Sequence, residues 1–135
     1  MRAASTLAVV FLNFIGPTAY ADDKIDCDKA TNTFELNACS EQQLAKADDE
    51  LNAVYAKVIK HITENAGEKP YDEKSWREAL KNSQRAWIAF RDADCKGLVP
   101  MSWTGGTATS GEVLGCMIDM TVARTKDLQN RYELK

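Results

Sequence analysis

The chain has 135 residues, of which 44% are hydrophobic and 27% charged, and its 17 Lys and Arg stand against 20 Asp and Glu for a formal charge of −3. That balance argues against a nucleic-acid binder, because phosphate contacts need clustered Lys and Arg. The length suits one domain with a modest core.

The sequence begins Met1-Arg2, runs through an apolar segment from Leu7 to Ile15 and reaches Ala19-Tyr20-Ala21. A basic start, a short apolar middle and a small-x-small site read as a secretory signal peptide over residues 1–21. The apolar run is too short to span a bilayer comfortably. The expectation is an exported protein, periplasmic or secreted, whose mature form is one domain over residues 22–135 with no membrane span. Loss of Arg2 with the leader leaves 16 basic and 20 acidic residues, a formal charge of −4. A cationic partner suits that excess, although solubility alone favours it too.

All four cysteines, Cys27, Cys39, Cys95 and Cys116, follow the leader. An even count in a small exported chain implies two disulfides. Their spacings give no paired C-x-x-C zinc signature, and His61 is the single histidine, so neither a metal nor another cofactor is expected.

A polar arm carrying Cys27 leads into the first helix, which begins around Phe34 with Thr33 as N-cap and Glu35 in the first turn. Leu44, Asp48, Leu51, Tyr55, Val58 and Ile62 recur at steps of four and three and define its inner face. The helix stops near Asn65-Ala66-Gly67, with Gly supplying the stop. A connection containing Pro70 leads to a second helix over about 73–96, with Trp76, Leu80, Trp87 and Phe90 inward and Arg91 on the same face. Residues 96–112 then read as a long Gly-rich loop. A third helix follows from about Val113, with Leu114, Met117, Ile118, Thr121, Leu128 and Tyr132 on one side. The fold class is therefore all-α, an antiparallel three-helix bundle arranged up-down-up.

That arrangement gathers all four cysteines at one end. The economical pairing is Cys27–Cys39, tying down the arm, with Cys95–Cys116 closing the loop at its base; pairings that join helix one to the other two stay open. Asp48 and Arg91 interrupt apolar faces at matching heights and are expected to pair across helices one and two, extended by Gln84, Asn52 or Tyr55. A buried acid is a candidate for chemistry, yet an ion pair that fixes helix register accounts for it. No serine or cysteine has an evident base, and no pair of carboxylates forms a distinctive signature, so no catalytic residue is assigned.

The loop is where binding is expected. Met101, Trp103, Thr104, Gly105 and Gly106 form its charge-poor centre, and an aromatic residue on a disulfide-stapled loop is a preorganised anchor for a partner's pocket. The alternative is that Trp103 folds back as a lid over the open end of the bundle.

The succession Cys27…Cys39, Ala47-Asp48-x-x-Leu51-Asn52-x-x-Tyr55, Gln84-Arg85-Ala86-Trp87-Ile88-x-Phe90-Arg91-Asp92-x-x-Cys95, Cys116…Thr121-x-x-Arg124-x-x-x-Leu128 resembles the LprI-type lysozyme-inhibitor domain family. The resemblance implies a helical, disulfide-bonded domain of the bacterial periplasm or exterior. One lipoprotein member of that family is regarded as an inhibitor of c-type lysozyme, whereas this sequence has no cysteine at the leader junction. The functional expectation is a non-enzymatic binding protein that inhibits c-type lysozyme, or another cationic cell-wall hydrolase, by inserting the loop. The alternatives are an immunity or accessory protein for an envelope partner and, more remotely, a periplasmic enzyme acting on glycan or peptide.

Overall fold

Asn32 and Glu35 begin the first helix together. The Asn32 side chain accepts from the Glu35 N–H at 3.0 Å, and the Glu35 carboxylate accepts from the Thr31 N–H at 3.0 Å. These bonds place the N-cap at Asn32 rather than Thr33, and the Glu35 carboxyl is held below its ordinary range, chiefly through the bond from Thr31. The computed structural model describes residues 25–134; the leader read over residues 1–21 lies outside them.

Helix α1 spans Thr33–Asn65. Its buried residues, Cys39, Ala47, Leu51, Val54, Val58 and Ile62, form a stripe rotated slightly from the sequence-derived one. Ala47 and Val54 move inward, while Leu44, Asp48 and Tyr55 sit half-buried at its edge. The helix does not stop on a left-handed glycine. Ala66 turns extended with its N–H still bonded to the Ile62 carbonyl, and Gly67 follows without positive φ.

Asp72 caps α2, Glu73–Asp92, by accepting from the Ser75 N–H at 3.0 Å. Leu80 and Arg91 are its buried residues, with Trp76 and Trp87 packed against the core from the side. Phe90, expected inside, is 60% exposed. The face that turns inward is set by Leu80, Gln84, Trp87 and Arg91, and Phe90 lies about 80° around the helix from Leu80.

The long loop is not present. Past Asp92 the chain continues as a π-helical segment, Ala93–Leu98, and then as the short helix α3, Val99–Ser102. Pro100 falls in the first turn of α3, where the chain passes from π-helix to α-helix. Residues 103–108 alone are turn before α4, Thr109–Arg131. Gly111, read as part of the loop, is helical, and a Cβ there would touch the Asn37 side chain at 3.4 Å. Gly111 thus marks a place where the start of α4 lies beside α1.

The described residues contain no strand. Helices α1 and α4 run parallel as the closest pair, with α2 antiparallel and set further off. Thr121, Thr125 and Ala47 are small buried residues of that pair, whereas Trp76, Trp87, Arg91 and Arg124 are the long side chains near α2. The core consists of Leu51, Val54, Val58, Ile62, Leu80 and Leu128. Cys27 pairs with Cys39 and Cys95 with Cys116, leaving no free thiol. No helix among the described residues is long and apolar enough to cross a membrane.

Candidate partner-binding pole

The polar residues on inner faces form two linked centres. Arg91 donates to Asp48 at 3.0 Å, to Asp92 at 3.2 Å and to the buried Thr121 hydroxyl at 2.9 Å, and its guanidinium stacks over Trp87 at 5.2 Å. Arg124 lies against the same ring at 6.0 Å and donates to Gln84, Ser83 and Asp127. Gln84 therefore serves Arg124 rather than the Asp48–Arg91 pair, and Thr121 takes the place the sequence suggested for Asn52 or Tyr55. The guanidinium is largely enclosed, but the Asp48 side chain is 42% exposed. The arrangement fixes three helices at one height. A hydrogen bond from Lys96, assisted by Arg91, holds the Asp92 carboxyl below its ordinary range.

His61 stands at the opposite end, edge-on to Trp76 and Tyr132. Among the described residues, the grouping of metal-type donors is Asp94 with Cys95 and Cys116, and both sulfurs are committed to the disulfide. Met120 packs on that bridge, with its Sδ 3.4 Å from Cys95 and 3.9 Å from Cys116.

The residues singled out for binding fall at the disulfide end. Met101 is in α3 and 75% exposed; Trp103 ends that helix and is 45% exposed. Trp103 is thus neither a buried lid nor a residue of a free loop. The turn after it is tightly held: the Trp103 carbonyl accepts from the Gly106 N–H at 3.2 Å, and the Gly106 carbonyl accepts from the Thr109 N–H at 3.0 Å. Thr104 and Gly105 both have positive φ, 53° and 70°. Glycine adopts this conformation freely, but a β-branched threonine does so only under strain. Leu98, Phe34 and Leu36 add exposed apolar side chains at the same end, a contribution that the helical spacing did not reveal.

Charge divides about the level of the Asp48–Arg91–Thr121 contact. Toward the disulfides, residues 25–47 and 92–120 carry eight carboxylates against three lysines, a net charge of −5. The other described residues, 48–91 and 121–134, carry ten acids and eleven bases, a net of +1. The described residues thus form one acidic pole, with Leu98, Met101 and Trp103 exposed, and one nearly neutral pole, with Tyr71 exposed.

Residues 27–128 match the family model described as "Lysozyme inhibitor LprI", and the chain belongs to that family. It is 33% identical to the uncharacterized protein R02472 of Rhizobium meliloti (strain 1021), over 98% of this chain and 97% of the relative. It is 30% identical to the uncharacterized protein YecT of Escherichia coli (strain K12), over 90% of this chain and 87% of the relative. No solved structure matches.

Proposed function

We propose that this is an exported, non-enzymatic protein that binds and inhibits c-type lysozyme, or a similarly cationic cell-wall hydrolase, through its acidic pole. The observation that carries this reading is Trp103, exposed at the end of α3 on a hydrogen-bonded turn whose base is closed by Cys95–Cys116. A large aromatic side chain carried on a fixed turn costs little further backbone ordering when it enters a cleft. Met101 and Leu98 supply apolar contact beside it, while Thr104, Gly105 and Gly106 shape the turn that presents it. The −5 charge of the pole complements a basic enzyme and steers the encounter. The family's description supports the target class, and paired cysteines suit an oxidising compartment. Asp48, Arg91 and Arg124 hold the scaffold.

The test is inhibition of c-type lysozyme by the oxidised protein and by Trp103→Ala. Inhibition by the parent protein is expected, with a loss of about tenfold or more in the variant at unchanged helicity. Absence of inhibition overturns the target; inhibition indifferent to both Trp103→Ala and Met101→Ala overturns the site.

A further inference from the structure

At the neutral pole, the turn joining α1 to α2 borders a half-open cavity of about 420 Å³, within the range of small-molecule sites. Pro70, Tyr71 and Trp76 wall it, with Asn65 and Ser75 beside them. Trp76 is held from behind by Tyr132 and His61, at centroid distances of 6.2 Å each. The turn is closed by bonds from the Tyr71 N–H to the Glu68 carbonyl at 2.9 Å and from the Gly67 N–H to the Tyr71 carbonyl at 3.3 Å. Tyr71 is nonetheless 78% exposed, an aromatic ring left uncovered on a turn whose backbone is hydrogen-bonded.

Three features of this cavity define what it can hold. First, none of its lining residues is Asp, Glu, Lys or Arg, in a chain where 27% of residues are charged. The larger groove on the other side of Gly67, lined by Asp72, Glu73, Lys74, Arg77, Glu78 and Lys81, differs in this respect. Its charges neutralise one another through Arg77–Glu73 and Lys81–Glu78 pairs. Second, two aromatic rings offer negative π-faces, which attract the weakly positive C–H bonds of an aliphatic ring. Third, polar atoms remain available among the described residues. Asn65 donates its Nδ2 to the His61 carbonyl at 2.8 Å, leaving its Oδ1 as an acceptor, and Ser75 uses its backbone N–H for the cap and not its hydroxyl. A neutral ring with apolar faces and hydrogen-bonding edges matches all three.

We propose that this cavity is a second binding site, which takes a neutral pyranose such as an N-acetylated hexosamine unit of a glycan. One sugar face lies against Tyr71 and Trp76, and its hydroxyl or acetamido groups bond to Asn65 and Ser75. The site is independent of the proposed inhibition, which uses the opposite pole.

Chitotetraose titrated into the full oxidised protein tests this, followed by the amide and indole NMR signals. Saturable shifts at Asn65, Tyr71, Ser75 and Trp76 are expected, with affinity reduced about tenfold in Tyr71→Ala and unchanged in Trp103→Ala. Tyr71 is exposed, so its removal should leave the thermal midpoint where it was; a melting curve verifies this. If Tyr71→Ala does lower the midpoint, Ser75→Ala serves as the second variant and is expected to weaken binding. No saturable binding overturns the proposal. So do shifts centred on Trp103, affinity unaffected by either pocket variant, or selective binding of a proline-rich peptide in place of the sugar.

Discussion

Arg91 shows how unequal the two ends of one ion pair can be. Its guanidinium satisfies Asp48, Asp92 and the fully buried Thr121 hydroxyl while covering the Trp87 ring. Removing it leaves Thr121 without that partner, opens space beside an aromatic ring and takes away the only charge of the pair that is enclosed. Asp48, by contrast, keeps access to water at 42% side-chain exposure. Arg91→Ala should therefore destabilise by roughly 2–3 kcal/mol, and Asp48→Ala by only about 1 kcal/mol, as for a largely solvated partner. Arg91→Lys should fall between them, keeping the charge but losing the planar fork and the stacking. Urea denaturation checks this through midpoints at constant slope; equal losses for Arg91→Ala and Asp48→Ala would contradict the asymmetry.

Among the elements, the segment from Ala93 to Ala108 departs most from ordinary helix, and the Cys95–Cys116 bridge fastens it to α4. Cys95 is fully buried, and Met120 packs on both sulfurs. Replacing both cysteines by serine should cost about 3 kcal/mol through the freed unfolded chain. Hydrogen exchange should accelerate over residues 93–108, while amides of α1 around Val58 remain protected. Uniform acceleration throughout the molecule would show that the bridge supports the whole bundle and not this segment.

This segment also shows which parts of the fold were legible from residue patterns. The α1 stripe and the three long helices follow from apolar spacing because packing against neighbours rewards that period. The heights of Asp48 and Arg91 follow from antiparallel geometry alone. Phe90 departs from its expected place because an apolar residue at the edge of a face resembles one at its centre when the partner helix is unknown. The Gly- and Thr-rich composition of residues 96–112 resembles a loop. Its π-helix, α3 and the start of α4 are joined to the rest through the Cys95–Cys116 bridge and the packing of α4 on α1, long-range contacts that local propensity does not record. Met101 and Trp103 could be selected as exposed anchors from their neighbours; the strained turn at Thr104 could not.

Over the described residues, the acidic charge and the exposed Met101 and Trp103 share one end, and kinetics can separate their contributions. The net −5 of the disulfide pole acts at a distance, so it should raise the association rate with a cationic enzyme and be screened once the Debye length shrinks to about 10 Å or less. Trp103 acts only after contact, so its removal should appear mainly in the dissociation rate. The combined substitution Asp28→Asn with Glu112→Gln, both at exposed positions of that pole, should slow association several-fold at low salt and leave dissociation unchanged. Glu64→Gln with Glu68→Gln, at the neutral pole, should do neither. Stopped-flow binding to c-type lysozyme across a salt series distinguishes these cases. An association rate indifferent to salt, or equally affected by both pairs of substitutions, would mean that the enzyme does not approach by the acidic pole, however tightly Trp103 holds it afterwards.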